Sequence, residues 1–342
     1  MKIAVVYGGI STERNVAIAG GKAVIEALRS LDYEVVPVDP AYGADFLVRS
    51  EEQIADIEKF HDIEDLKQFE KRAYIDCIAS DVFDSIDVAF IVLHGKYGED
   101  GLIQSLLELR GIPYTGSKVK ASALSSDKAA SKIMFASAGV LTPQWEMVHK
   151  KDIDNLEVYK DLRSSLGKEL VIKPNDQGST IGLTIIDNGN LDDIHNAIVL
   201  ANKYSDPVLV EKYIEGRELT VGIIGGEALP IIEIITHDGF YDYEHKYTKG
   251  KTEYICPADL TDDIAEFTST MATIVYNVLG CDGFARVDFR LDDEGQPWCL
   301  ELNTIPGFTS KSLVPMAAKE IGIEFPELCE KIVNLALNKE KD

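Results

Sequence analysis

The sequence predicts an α/β protein that opens on a parallel sheet, and three neighbouring segments carry that expectation. Residues 2 to 7 form a β-rich apolar run closed by Gly8 and Gly9. Residues 12 to 29 repeat small and apolar side chains at helical spacing (Val16, Ala19, Ala23, Ala27, Leu28), and residues 33 to 38 return to strand character. Strand, helix and strand in that order make a crossover whose two strands run parallel.

The remaining elements follow in order. Residues 44 to 85 are charge-rich, mostly helical in propensity and without a motif, and they precede a buried-strand run at 88 to 93. A second unit begins near Val119: a helical stretch over 121 to 138 ends at Gly139, and Pro143 suits a domain crossing. Two strand runs follow, 169 to 173 and 181 to 186, joined by a Gly/Ser loop. A third unit begins near Pro207 and ends on a helix at 327 to 337. The expected units are therefore 1–118, 119–206 and 207–342.

A chain of 342 residues with 45% hydrophobic content can bury a large core divided among two or three domains. Thirty-four Lys and Arg against 58 Asp and Glu leave a net charge of −24. Such a charge disfavours a sequence-blind grip on nucleic acid or an anionic membrane, so neither is expected as a partner. Any bound phosphate must be met by local cations. The five cysteines are scattered, with no CxxC pair, which suits reduced thiols. The opening apolar run is too short for an export signal, and no run approaches the ~18 residues that span a bilayer. The expected location is the cytoplasm.

Four segments carry chemistry. In FARVDFRLDDEGQPWCLELN, residues 284–303, two strands joined by a turn at 292–296 read as a hairpin. Residues two apart share a strand face, so Arg286 with Asp288, and Glu301 with Asn303, can point into one space. Asp288, Glu301 and Asn303 then offer oxygen donors of the kind Mg²⁺ takes alongside phosphates and water. On these residues alone, a solvated sheet face with a cation neighbour remains the alternative. In VIKPNDQGSTIG, residues 171–182, a strand delivers Lys173 and a loop follows whose amides and hydroxyls (Gly178, Ser179, Thr180) can fold over phosphates. The lysine precedes the glycines, unlike a GKS/T phosphate loop, and a plain hairpin turn explains the glycines equally well.

In VLVEKYIEGRELTV, Glu211 and Glu218 bracket a short turn, where carboxylates can accept from a ribose hydroxyl or an adenine amine; an acidic edge loop reads the same. YDYEHKYTKGK, residues 241–251, mixes aromatic and basic side chains without apolar periodicity and suits a mobile lid. Glu13 lies just inside the first helix, where a carboxylate offsets the N-terminal dipole. His94, in LHGKYGEDG, follows a buried strand at the place where open α/β sheets put ligands, with a satisfied loop histidine as the other reading.

Taken in order, YGGISTERNVA, LHGKYGEDG, PYTGSKVKASALSSDK, VIKPNDQGSTIG, VEKYIEGRELTV, YDYEHKYTKGKTEYICPADL, RVDFRL and ELNTIPGFTSKSLVPMAA resemble the D-alanine:D-alanine ligases across nearly the whole chain. The resemblance implies a three-domain ATP-grasp fold with a Rossmann-like N-terminal domain, and ATP-dependent ligation of two D-alanines through an acyl-phosphate for peptidoglycan precursor synthesis. It implies that Lys128, Lys173 and Lys246 meet the ATP phosphates, that Glu211 and Glu218 hold base and ribose, and that Asp288, Glu301 and Asn303 ligate two Mg²⁺ or Mn²⁺. It further implies that Glu13 receives the first D-alanine's ammonium and that Ser179 and Tyr247 link to Glu13 to close the lid. Arg286 would steady the transferred carboxyl oxygens and His94 would lie near the first substrate. Gly307, Ser312 and Leu313 would form the second D-alanine's pocket, and the enzyme would be a homodimer. Related ligases that make D-alanyl-D-lactate or D-alanyl-D-serine share every nucleotide and metal residue, so only the acceptor pocket separates them. Family members that make depsipeptide usually lack a tyrosine at the place of Tyr247, so the resemblance implies that D-alanine would be preferred to D-lactate. A catalytically silent nucleotide-binding module would have lost the metal set, which is intact here.

Overall fold

A computed structural model describes residues 1–46, 66–236 and 252–338. The first unit contains β1 (Lys2–Val6), α1 (Arg14–Ser30), β2 (Glu34–Val38), α2 (Arg72–Ile78), β3 (Val88–Ile91) and α3 (Leu102–Arg110). Its three strands are parallel in the order β2-β1-β3. β3 is buried at every residue and β1 at all but its first, as expected for strands covered on both faces. In a parallel sheet all the carboxyl ends share one edge. The loops starting at Tyr7, Asp39 and Val92 therefore emerge side by side.

The second sheet is antiparallel, in the order β4-β7-β5-β6. It follows α4 (Val119–Ser126) and α5 (Lys128–Ser137) and consists of β4 (Trp145–Val148), β5 (Leu170–Pro174), β6 (Thr184–Ile186) and β7 (Val208–Lys212), with α6 (Leu156–Leu166) and α7 (Leu191–Asn202) between. Asn155 and Asn190 cap the two covering helices, and Leu162, Leu166, Ile194 and Ile198 join the strands in one core. Because β7 pairs with β4 and β5, the chain leaves this sheet only after Lys212.

The third sheet runs β11-β10-β8-β12-β13, with the short β9 (Glu227–Ala228) on β8. Its strands are β8 (Arg217–Ile224), β10 (Ile232–Thr236), β11 (Thr252–Ile255), β12 (Phe284–Leu291) and β13 (Pro297–Asn303), and α8 (Asp262–Leu279) covers it. Phe135 of α5 is buried in this third core, so the helices after Lys118 pack on a sheet formed far downstream. The final helices, α9 (Leu313–Glu320) and α10 (Phe325–Asn338), return to the first unit. Leu328, Ile332 and Val333 pack there with α1 and β3.

The expected hairpin at 284–303 is present, closed by Asp292, whose carboxylate accepts from Gln296 N at 2.8 Å and Trp298 Nε1 at 2.7 Å. The single helix expected over 121–138 is instead two. Asp127 adopts an extended backbone and accepts from Ala130 N at 2.9 Å, which ends α4 and caps α5. Among the described residues no helix is long and apolar enough to cross a membrane.

Candidate active site

The two antiparallel sheets enclose an open cleft of about 1090 Å³. Lys128, Lys173, Ser179, Glu211, Glu218, Arg286, Asp288 and Glu301 all line it, eight of the positions singled out from sequence. Asn303 lines the adjoining hollow with Lys128, Gly178 and Glu301.

The hairpin supplies the oxygen donors. Arg286 opposes Asn303 and Asp288 opposes Glu301, which puts all four side chains on one face. Just beyond, the register slips: Phe289 opposes Cys299, and Leu300 is left over as a bulge. A regular strand would put Cys299 and Glu301 on the same face. The extra residue lets Cys299 sink fully into the core while Glu301 turns to the cleft. Asp288 is then held by four bonds. Arg286 Nε and Nη2 donate to its two oxygens at 2.8 and 2.7 Å, Thr220 Oγ1 donates at 2.6 Å and Asn303 Nδ2 at 3.0 Å. Among the described residues no three His, Cys, Asp or Glu side chains are grouped to hold a metal. A cation here would rest on two carboxylates, the Asn303 amide and the ligand's own oxygens, a donor set that fits Mg²⁺.

Three lysines pair with carboxylates in and behind the cleft wall, Lys128 with Glu301 and the other two with Glu211. The break at Asp127 places Lys128 at the start of α5, where its Nζ lies 3.2 Å from Glu301 Oε2 and donates to Gln177 O at 2.7 Å. Burial alone would lower the Lys128 pKa, but the charge and hydrogen bond of Glu301, with Glu99 and Glu13 nearby, raise it. Lys173 pairs with Glu211 Oε1, and Lys132 lies 2.6 Å from Glu211 Oε2. Burial disfavours the Glu211 carboxylate, yet the two ammonium groups hold its pKa below the ordinary value. Burial has the upper hand at Lys132, whose pKa is lowered. At the other end of the cleft Arg290 Nη1 lies 3.5 Å from Glu218 and Nη2 donates to Tyr213 OH at 3.1 Å.

Glu13 lies at the N-terminal boundary of α1, but its side chain does not cap the helix. It accepts instead from Ser179 Oγ, across 166 residues of sequence. A Cβ on Gly95 or Gly178 would stand 2.6 or 3.0 Å from Glu13 Oε2, so the glycines on both sides leave this carboxylate its room. Ser179 and Thr180 both adopt positive φ, 51° and 58°, an uncommon backbone for residues with a Cβ. His94 is buried nearby, and burial lowers its pKa against the pull of Glu13. Gly307 and Ser312 are neighbours, a Cβ on the glycine falling 3.6 Å from Ser312 Oγ. Ser312 precedes α9 and accepts from Thr309 N at 2.9 Å, and Leu313 packs against the first core. These three residues line neither hollow described above. Lys246, Tyr247 and the expected lid at 241–251 lie outside the described residues.

Two residues of the site escape the sequence reading. Lys132 stands one helical turn after Lys128, a spacing that puts both on one face, but only the fold shows Glu211 beside it. Glu99 lies in the quoted LHGKYGEDG, and its Oε2 accepts from Gly95 N at 2.7 Å. Burial and then the charge of Glu13 push its pKa up to about 8, against that N–H and the charges of Lys128 and Arg286.

Comparison with known proteins agrees along the whole length. Residues 2–117 match the family model described as D-ala D-ala ligase N-terminus, and residues 134–334 match D-ala D-ala ligase C-terminus. The chain belongs to the D-alanine–D-alanine ligase family. A family member from Bordetella petrii is 41% identical over 99% of this chain and 93% of its own. The crystal structure of a Bacillus anthracis member complexed with ATP superposes with a TM-score of 0.75 at 30% identity, covering 100% of this chain and 98% of that one. The VanG D-Ala:D-Ser ligase of Enterococcus faecalis gives 0.76 at 28% identity, covering 98% and 99%. The facing antiparallel sheets are the ATP-grasp pair of this ligase family, and the parallel unit is its N-terminal domain.

Proposed function

We propose that the protein joins two D-alanine molecules to D-alanyl-D-alanine, with ATP converted to ADP and phosphate, to supply peptidoglycan precursor. The observation that carries this reading is the cleft itself: Lys128, Lys173 and Arg286 line it together with Asp288 and Glu301, with Asn303 in the adjoining hollow, in a chain of net charge −24. In this reading residues 1–118 bring Glu13 and His94 to the first substrate, while the two antiparallel sheets, between which the chain passes after Lys212, close on the nucleotide.

Glu13 and Ser179 bind the ammonium end of the first D-alanine, and Arg286 orients its carboxylate toward the γ-phosphate. Glu211 and Glu218 receive base and ribose, and Lys128 and Lys173 the phosphates, with Lys246 beside them. Phosphoryl transfer asks mainly for in-line positioning and neutralised charge. Two Mg²⁺ or Mn²⁺ ions, held by Asp288, Glu301 and Asn303, supply part of that neutralisation when bound. The carboxylate oxygen takes the γ-phosphoryl group and ADP leaves, giving D-alanyl phosphate. The second D-alanine, in the pocket of Gly307, Ser312 and Leu313, loses its ammonium proton. Its amine then attacks the acyl carbon, and the C–O bond breaks as phosphate departs with the electron pair. Water has to be excluded, because it would hydrolyse the acyl-phosphate. Closure of residues 241–251, with Tyr247 joining Ser179 and Glu13, serves that end. The five cysteines, all free, suit a reducing compartment, and the reading makes the enzyme a cytoplasmic homodimer.

The likeness to a D-Ala:D-Ser ligase leaves D-serine as the competing acceptor. Phosphate release coupled to ATP, measured with D-Ala, L-Ala, D-Ser and D-Lac, tests both. Turnover with D-Ala alone is the expected result. A higher kcat/KM with a D-Ala and D-Ser mixture would shift the reading to the serine ligase, and no release with any of them would overturn it.

A further inference from the structure

The charge-rich segment after residue 44 carries no motif, but its described end meets the loop that presents Glu13. Arg14, 1% exposed, lies 2.6 Å from Asp39, which is wholly buried. Arg14 Nη1 donates to Gly9 O, and Asp39 Oδ1 accepts from Gly9 N and Ala41 N, both at 3.0 Å. Gly9 is thus gripped at both its N–H and its C=O. The Phe69 ring closes over the guanidinium, 4.8 Å from its centre. One residue along, Ile10 N donates to Tyr74 OH at 3.1 Å. Gly9 has φ +75°, and a Cβ there would fall 2.5 Å from that hydroxyl, so the glycine permits the contact. Ser11 Oγ takes Glu13 N at 3.1 Å and donates to His94 O at 2.5 Å. Tyr74 also packs on Tyr97 of the His94 loop, ring centres 5.9 Å apart.

A buried ion pair contributes little net stability compared with apolar groups of the same shape. Its worth lies in direction, since each partner accepts only one geometry. Here the geometry fixes residues 9, 10 and 11, and therefore where Glu13 leaves the backbone. A displacement of about 1 Å in a substrate-holding group can cost on the order of 10²-fold in rate.

We propose that Arg14, Asp39 and Tyr74 are positioning residues that hold the loop from Gly9 to Glu13 so that Glu13 meets Ser179 over the ammonium of the first substrate. The inference rests on the proposed role of Glu13. Tyr74 and Phe69 give the segment after residue 66 a function: it buttresses the loops on either side of the first-substrate site. None of these residues touches the nucleotide cleft, so the effect should reach D-alanine and spare ATP.

The test uses the full-length protein and titration calorimetry with D-alanine and, separately, ATP, which needs no turnover. Tyr74→Phe keeps the ring and removes one hydrogen bond, so D-alanine binding should weaken roughly two- to tenfold. ATP binding and the circular dichroism spectrum should stay as in the wild type. Arg14→Lys keeps the charge without the fork and should weaken D-alanine binding further. Glu13→Gln should weaken it as well, and adding Tyr74→Phe to Glu13→Gln should produce no further loss, because Tyr74 acts through Glu13. Equal weakening of both ligands, or losses that multiply in the double variant, would overturn the positioning role while leaving Glu13 in place. Unchanged D-alanine binding in Glu13→Gln would instead strike the reading of Glu13, and the inference with it.

Discussion

Two buried charge clusters in this protein are built to different ends. Arg14 and Asp39 form a pair of one cation and one anion, set among backbone groups and rings of the first unit, and neither lines the cleft or the hollow beside it. Lys132, Glu211 and Lys173 put two cations on one anion, and two of the three line the cleft. The first cluster is electrically complete, so its business is shape. The second holds surplus positive charge in a low-dielectric wall, where an incoming phosphate is worth more than in water. Charge balance together with access to a cavity, more than burial alone, separates a structural ion pair from a binding site.

That contrast can be broken at either end. Asp39→Ala should be the most costly change to the fold, because it leaves the Arg14 guanidinium buried and uncompensated; about 3 to 5 kcal/mol of unfolding free energy is the expected loss. Urea denaturation measures it, and a loss below about 1 kcal/mol would mean that the pair is solvated or replaceable. In the cleft, Glu301→Gln should leave the urea midpoint near that of the wild type but lower turnover by about 10²-fold or more. Near-normal activity at saturating Mg²⁺ would remove Glu301 from the metal site.

Lys173→Ala sharpens the comparison further. Lys132 still neutralises Glu211, so stability should change little, while loss of one charge-assisted bond to phosphate, about 1.5 to 3 kcal/mol, should raise the ATP requirement roughly ten- to a hundredfold. An unchanged KM for ATP would return the loop after Lys173 to an ordinary hairpin turn.

The last effect is a pH slope, kept small because Glu99 is only half-buried and lines the hollow beside the cleft, where solvent screens it. The folded protein holds Glu99 protonated up to about pH 8, against an ordinary value of 4.5. Between those values the folded state binds more protons than the unfolded one, so stability declines as pH rises through the window. Glu99→Gln cannot ionise, and its melting temperature should fall less steeply than the wild type's between pH 5 and pH 8, as buffers at about four pH values would record. Parallel curves would mean that the Glu99 carboxyl titrates at its ordinary value in the folded protein.

Several pieces of the site were legible before any fold was known. The alternation in FARVDFRL and the turn residues after it placed Arg286 and Asp288 on one face, and the structure keeps them there. The bulge at Leu300 was not legible, because Trp298, Cys299, Leu300 and Leu302 are all apolar and only the fold shows that the buried positions fall at 297, 299 and 302. The break at Asp127 was also hard to see. An Asp inside a helical pattern marks a cap only when Ala130 N turns toward it, and the surrounding propensity is helical throughout.

The sequence by itself determined the elements and the chemical kind of each motif, because period, turn residues and side-chain chemistry are local properties. Tertiary structure alone decided who meets whom. Glu13 reaches Ser179 across 166 residues, Lys132 finds Glu211 on another sheet, Phe135 packs under strands that lie about 150 positions later, and α10 returns to α1. Such pairings follow from how sheets and helices bury their apolar faces against one another, and that free energy depends on contact area between distant segments. No periodicity along the chain records it.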